Sequence, residues 1–349
     1  MTPVVTFAQD VEAVVEALAS DWPRLTGARI FMTGGTGFIG RWMLEALKVA
    51  DERHSLKCEV VILTRDPSRF ASTAPHLTSY SSFSFVTGDV SGPLTADGAF
   101  THVIHAATDA SADLNLNNPL KMFDTVVGGT RHALDFAVAK GAQRFLFMSS
   151  GAVYGAQPWE VTHVPEDWHG APDCTEPKNA YGEGKRAAEM LCAIYGKQHG
   201  LDTVTARIFA LLGPLLSLDI HFAAGNFIRD ALAGRRITVQ GAGTAERSYL
   251  YAADLTRWMW TLLLRGPHGS TYNLGSEQAV SIAGLAERVA TVLGGPGFEI
   301  LGRPDPGWNP GRYIPSTEKI RHELGVAPLV DLDEAIRRTA AWNGWTPWQ

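Results

Sequence analysis

The sequence predicts an α/β fold, a doubly wound parallel sheet with a smaller C-terminal lobe, and two observations predict it. Short apolar runs rich in β-branched and aromatic residues alternate with helical patterns through residues 28–210. The first run, 28–32, leads at once into Thr33-Gly34-Gly35-Thr36-Gly37-Phe38-Ile39-Gly40 and then a helical pattern over 41–49. Strand, glycine turn and helix in that order is the arrangement that opens a dinucleotide-binding unit.

The elements follow in order. Residues 11–18 carry apolar positions at helical spacing and break at Trp22-Pro23, which reads as a short helix ahead of the main fold, placed to cap the sheet or to meet a partner. Strands are expected at 58–63, 84–86, 102–105, 144–148 and 203–209, with a long helix at about 120–140. Beyond that the pattern loosens into Gly- and Pro-containing loops, a short strand at 237–240, and helices near 255–264, 282–293 and 332–342. The expected division is an N-terminal helical extension (1–27), a dinucleotide-binding unit that also holds the catalytic residues (28–210), and a mainly substrate-binding lobe (211–349) interleaved with it.

With 349 residues, 45% of them hydrophobic, the chain has ample core for one large domain or two fused lobes, which excludes disorder, collagen and coiled coil. A net charge of −6 provides no basic surface for phosphate backbones, so nucleic acid is not an expected partner. Cys58, Cys174 and Cys192 are odd in number and lack CxxC spacing, which argues against both a disulfide framework and a metal site and suits a reducing cytosol. Residues 1–25 lack the charge pattern of a leader, and no apolar run approaches the roughly 18 residues that span a bilayer. The expectation is a soluble, cytoplasmic protein without membrane partners.

In the glycine turn, Gly34 allows a tight exit from the strand, Gly37 lets a pyrophosphate approach the backbone, and Gly40 permits close helix packing. The next strand ends Leu63-Thr64-Arg65-Asp66. An acid at that end holds the adenosine ribose of NAD; here Thr64 stands there and Arg65 can pair with a 2′-phosphate, which favours NADP. The alternative is that Asp66 takes the ribose and the cofactor is NAD. Asp89, in Gly88-Asp89-Val90, is placed to accept from the adenine amine.

Tyr181 and Lys185 are four residues apart in a segment that turns helical, so they share a face, and the ammonium can lower the phenol pKa and help it exchange a proton. The pair becomes specific when joined to Ser149-Ser150-Gly151-Ala152-Val153-Tyr154-Gly155 at a strand end, where Ser150 would bond the same substrate oxygen.

These motifs, with His105-Ala106-Ala107, Leu212-Gly213-Pro214, Arg247 to Asp254, Tyr272 to Gly275, and Arg312 ahead of Lys319, resemble in order those of the extended short-chain dehydrogenase/reductases, the NAD-dependent epimerase/dehydratase family acting on nucleotide sugars. The resemblance implies a Rossmann fold, a homodimer paired through the helices at 120–140 and 181–195, and a cofactor site of Gly34, Thr36, Gly37, Phe38, Ile39, Thr64, Arg65, Asp89, Val90, Ala106, Ala107, Tyr181 and Lys185. It implies Tyr181 as proton donor or acceptor, Lys185 as its tuner and ribose ligand, and Ser150 as the residue orienting the substrate oxygen. Asn226, Arg247 and Arg312 would hold the sugar nucleotide, guanidinium forks matching phosphate oxygens.

Three departures from the family pattern matter. The acid that dehydratases and some decarboxylases carry after the Ser/Thr is replaced by Gly151-Ala152. The Asn of the NxxGT motif is absent from Val126-Val127-Gly128-Gly129-Thr130, and RxxN reads Arg207-Ile208-Phe209-Ala210. The expected activity is hydride transfer with NADP(H) at C4 of a nucleotide-activated 4-keto-6-deoxy hexose. A 4-epimerase with tightly bound NAD is the alternative, and a non-catalytic NADP sensor the third reading. His163, His169 and His221 are expected near the substrate without a metal role, Trp308 is the best-placed stacking aromatic, and residues 156–176 are expected to form the substrate rim.

Overall fold

The computed structural model describes residues 4–108, 112–219, 223–304 and 311–346. Seven strands form the main sheet: β1 (Arg29–Thr33), β2 (Glu59–Thr64), β3 (Phe83–Thr87), β4 (His102–His105), β5 (Arg144–Ser150), β6 (Asp202–Ile208) and β7 (Thr271–Leu274). They are all parallel, in the order β3-β2-β1-β4-β5-β6-β7. Side chains alternate between faces as the strand period requires. Ile30, Met32, Ile62, Ile104 and Leu146 enter one core, while Phe31, Val61, Val103, Phe145 and Phe147 enter the other. Both faces are thus covered, as a parallel sheet demands.

The strand order places the site. From β1 the chain winds outward through β2 and β3, then returns to lay β4 on the other side of β1 and winds away through β5 and β6. The crevice beyond the carboxyl ends of β1 and β4 is the topological switch point, where open α/β sheets bind ligands.

The helix Phe7–Ala17 begins with a capping box between Thr6 and Gln9 and buries Val11, Val14 and Val15. It lies on the helices Phe38–His54 and Ala252–Arg265, with Phe7 edge-on to Trp42 at 4.6 Å. Its buried Asp10 accepts from the Tyr251 hydroxyl and from Arg338. Of its two expected roles, the structure thus shows it covering helices over one face of the sheet.

The lobe expected beyond residue 211 contributes more to the sheet than its loose pattern suggested. The edge strand β7 comes from Thr271–Leu274, too short to register as a strand by pattern, and pairs with β6. The helices Ala223–Leu232, Ile282–Leu293 and Leu332–Trp342 pack together, and Ile237–Val239 pairs with Phe298–Ile300. A small ladder sets Glu246–Arg247 between Val280–Ser281 and Arg312–Tyr313. Among the described residues no helix is long and apolar enough to cross a membrane.

Candidate active site

The chain leaves β1 through Gly34 at φ +71°, where a Cβ would stand 2.5 Å from the Ala106 carbonyl carbon. At Gly40 a Cβ would stand 2.3 Å from the Gly34 carbonyl oxygen. Only glycine lets the turn fold against Ala106-Ala107 and the helix start beneath it. The helix Phe38–His54 is capped by Gly37 with no side-chain hydrogen bond, leaving its first N–H groups and positive dipole end toward the turn. This cradle, which a Cβ would fill, fits a pyrophosphate.

A cleft of about 830 Å³ opens there, lined by Gly34, Thr36, Gly37, Thr64, Arg65, Asp89, Val90, Ala106 and Ala107. Phe38 and Ile39 form the first helical turn and pack partly against the larger core. At one end of the cleft, Arg41 and Arg69 join Arg65 and Asp66. The Asp66 carboxylate accepts the Arg69 N–H at 2.9 Å, capping the helix Pro67–Thr73. Bonds from Ser91, then the charges of Arg65 and Lys121, hold the Asp89 carboxyl below its usual range.

The other end of the cleft reaches the catalytic candidates through Thr108. Ser150 ends β5, and Tyr181 and Lys185 lie in the first two turns of the helix Ala180–His199. That helix approaches closely because it carries glycines where a Cβ would sit 2.7 Å from the Ala152 carbonyl oxygen (Gly182) and 3.2 Å from Val126 (Gly184). The Asn115 side-chain oxygen accepts the Tyr181 N–H at 3.0 Å. The Tyr181 phenol is buried close enough to Ser150 for the serine hydroxyl to favour its ionised form. Lys185 Nζ, buried, donates to Thr108 Oγ1 at 2.8 Å and to the Met148 carbonyl at 2.6 Å, and stands 4.8 Å from the Phe147 ring centroid.

The electrostatics differ from the sequence expectation. Burial pushes the Tyr181 phenol up, partly offset by the nearby Ser150 hydroxyl, and burial pulls the Lys185 ammonium down to about 7. Desolvation outweighs the through-space effect of a cation whose protons are already given to Thr108 and Met148. Behind the pair, Glu189 accepts from Ser149 at 2.5 Å and from Arg207 at 2.7 Å, and Arg207 also donates to Tyr154 at 2.7 Å. Arg207 of the incomplete RxxN motif therefore braces the strand end through Glu189, one helical turn beyond Lys185. Val126, in place of the motif Asn, is buried beside Gly184, and Thr108 and Met148 supply the polar contacts of Lys185. Gly151 lies where a Cβ would stand 2.6 Å from the Phe209 ring and 2.7 Å from the Tyr313 hydroxyl. The space next to Ser150 is filled by aromatic rings.

Arg247 and Arg312 lie on neighbouring strands of the small ladder, with Tyr313 opposite Arg247. Arg247 donates to the Glu246 and Gly311 carbonyls, and Arg312 to the Glu246 carboxylate at 2.7 Å and the Trp159 carbonyl at 2.8 Å. The Arg312 guanidinium also lies 4.0 Å from the Trp159 ring centroid. Asn226 is half-buried in the helix Ala223–Leu232, which packs on Ile282–Leu293. In the segment 156–176, Gln157 accepts the Ile314 N–H at 2.9 Å and Val164 donates to the Ile314 carbonyl at 2.9 Å, so this segment is stitched to the Arg312 strand. His163 lies 2.9 Å from the Glu277 carbonyl oxygen and His169 is exposed. His221 and Trp308 lie outside the described residues. Among the described residues no group of three or more His, Cys, Asp or Glu is placed to hold a metal.

Sequence reasoning passed over Arg41, Arg69, Thr108, Asn115 and Tyr313. Thr108 directly follows His105-Ala106-Ala107 and could have been read from it; the others had no motif to mark them.

Comparison with known proteins agrees with this geometry. The profile of the NAD dependent epimerase/dehydratase family matches residues 30–275. UDP-glucuronic acid decarboxylase 1 of Xenopus tropicalis is 32% identical over 311 residues, 89% of this chain and 71% of that one. UDP-glucuronic acid decarboxylase 3 of Arabidopsis thaliana is 32% identical over 308 residues, 88% of this chain and 86% of that one. Among solved structures, UDP-glucose 4-epimerase of Thermotoga maritima superposes with TM-score 0.75 at 21% identity, covering 90% of this chain and 98% of that one. The dTDP-glucose 4,6-dehydratase of Streptomyces venezuelae, with NAD bound, superposes with TM-score 0.76 at 24% identity, covering 90% and 96%. The chain is an enzyme of the short-chain dehydrogenase/reductase type and belongs to the NAD-dependent epimerase/dehydratase family.

Proposed function

We propose that the protein is an NADP(H)-dependent oxidoreductase acting at C4 of a nucleotide-activated 4-keto-6-deoxy hexose, in the reducing direction. One observation carries the reading: the Ser150, Tyr181 and Lys185 side chains come together beyond the dinucleotide cleft, and among the described residues aromatic rings rather than a carboxylate occupy the space beside Ser150. Hydride chemistry at a carbinol carbon needs those three groups. Loss of water across C5 and C6 needs a further acid and base, and the positions after Ser150 hold Gly151 and Ala152 instead.

The bound nicotinamide supplies the hydride. The chain's own residues do the rest. A phenol held above its usual pKa is protonated at neutral pH, so Tyr181 is ready to give its Oη proton to the alkoxide oxygen emerging at C4. Ser150 holds the same oxygen as charge develops on it. Lys185, fixed by Thr108 and Met148, presents its ammonium at the ribose end of the nicotinamide. Arg41, Arg65 and Arg69 line the adenosine end, and Asp66 already caps a helix, which together favour a 2′-phosphate over a bare ribose. Asn226, Arg247 and Arg312 are assigned to the sugar nucleotide, whose diphosphate would compete with Glu246 for Arg312. The exposed Leu120, Met190 and Ile194 on the helices Pro119–Ala139 and Ala180–His199 support pairing in a homodimer.

The test is native mass spectrometry of the purified protein followed by assay with NADPH or NADH. The substrates are UDP- and dTDP-4-keto-6-deoxy hexoses, UDP-glucose and UDP-glucuronic acid. Oxidation of NADPH in step with reduction of a 4-keto sugar is expected. Retained NAD with sugar interconversion and no net redox replaces the reading with a 4-epimerase, and release of CO2 from UDP-glucuronic acid replaces it with a decarboxylase.

A further inference from the structure

Ser150 and Tyr181 come from the sheet and its following helix, but a third hydroxyl stands beside them from far along the chain. Tyr313 Oη lies 3.5 Å from Ser150 Oγ and 3.5 Å from the Ile208 carbonyl oxygen. Its ring lies against Phe209, with centroids 4.5 Å apart. Its backbone neighbour Ile314 is pinned on both polar atoms by Gln157 and Val164. The approach depends on Gly151, where any Cβ would stand 2.7 Å from that hydroxyl.

A serine hydroxyl has one hydrogen and two acceptor positions. Ser150 Oγ accepts the Ala152 N–H at 3.2 Å. That uses one acceptor position and leaves the other open, and the one Ser150 hydrogen has the Tyr313 oxygen within reach. Tyr313 meanwhile has the Ile208 carbonyl as acceptor for its own proton. We propose that Tyr313, delivered by the C-terminal lobe, is the positioning residue of Ser150: its hydroxyl sets the direction of the Ser150 hydrogen before substrate arrives. When a substrate oxygen takes the Ser150 hydrogen, Tyr313 turns its proton from the Ile208 carbonyl to Ser150 Oγ and supports that bond. No proton leaves either residue. The serine is thus fully oriented only with the Arg312–Tyr313 strand in place, which links the lobe carrying the nucleotide-binding candidates to the catalytic centre.

The inference rests on Ser150 and Tyr181 acting together as proposed above. Tyr313→Phe keeps the ring and its contact with Phe209 and removes only the hydroxyl. In the reduction of a UDP-4-keto-6-deoxy hexose it is expected to lower kcat by about tenfold with KM nearly unchanged, the loss of one hydrogen bond at a reacting oxygen. In the Ser150→Ala background it is expected to lower kcat no further. Equal losses in both backgrounds, or a change in KM alone, overturn the inference. A second readout needs no substrate: NMR of 13Cζ-labelled tyrosine in the NADPH-bound protein. Tyr313→Phe is expected to shift the Tyr181 resonance when Ser150 is present and not when it is Ala; an unmoved resonance, or the same shift in both, overturns it. If the wild-type protein reduces no 4-keto sugar, the functional reading fails and the resonance alone decides the role of Tyr313.

Discussion

The two ends of the site are built by different means. The end assigned to the cofactor is made mostly of backbone: a glycine turn, a helix start capped by Gly37 without a side chain, and the Ala106-Ala107 segment, all within the first switch of the sheet. The end assigned to the substrate is made of side chains that meet only after the chain has returned several times. Ser150, Tyr181, Arg247 and Tyr313 come from four separate segments, and Gln157 holds the last of them. A backbone site tolerates change in its neighbours but no added atom at its closest approach. A side-chain site survives small steric changes but loses function with a single polar group.

That contrast can be broken at several points. The largest effect is expected at Gly40→Val, whose side chain would drive into the Gly34 carbonyl and disrupt the turn. NADPH binding, followed by fluorescence, should be abolished, and the melting temperature should fall by an amount matching ~3 kcal/mol or more. Retained binding would show that the turn is not a rigid cradle. Next, Tyr181→Phe should reduce kcat by roughly 10²–10⁴ while leaving NADPH affinity nearly intact, as expected for loss of a general acid; turnover close to wild type would remove Tyr181 from the chemistry. Arg65→Ala should weaken NADPH by about 10–100-fold, the range for charge-assisted bonds to a phosphate, and leave NADH unchanged. Parallel loss for both cofactors would refute the assignment of Arg65 to a 2′-phosphate.

The smallest effect is one of pH. Burial lowers the Lys185 pKa to about 7, so the ammonium is present below that value and lost as pH rises through it. If the charged form is required, kcat/KM should decline above pH 7, by up to about tenfold per unit. Tyr181, shifted upward, adds no descending limb below the ordinary phenol range. Lys185→Arg should flatten the profile, since guanidinium does not titrate there; an unchanged limb would assign it to another group.

The alternation of strands and helices was legible because a two-sided parallel sheet writes apolar runs into the sequence, and β1, β2, β4, β5 and β6 lie within one or two residues of where those runs were read. The strand β7 was not, because four residues cannot show a period and its place at the edge depends on pairing with β6. Tyr181 and Lys185 were legible for a local reason, since four residues on a helix fix two side chains on one face. The shifted protonation of both was not, because the solvent lost on burial comes from elements remote in the chain. Tyr313 shows the same limit: its neighbour Arg312 was picked out by motif, while the hydroxyl beside it gained meaning only from contact with Ser150.

The sequence by itself determined the sheet type, the glycine turn and the pairing of tyrosine with lysine, because each is a matter of short-range sterics or helical spacing. Tertiary structure alone decided what surrounds Ser150, where Phe209 and Tyr313 close off the space that Gly151 leaves. It also decided that Arg312 rests against Glu246 and Trp159. Those outcomes depend on which segments the folded chain brings within a few ångströms of each other, and no local pattern carries that information.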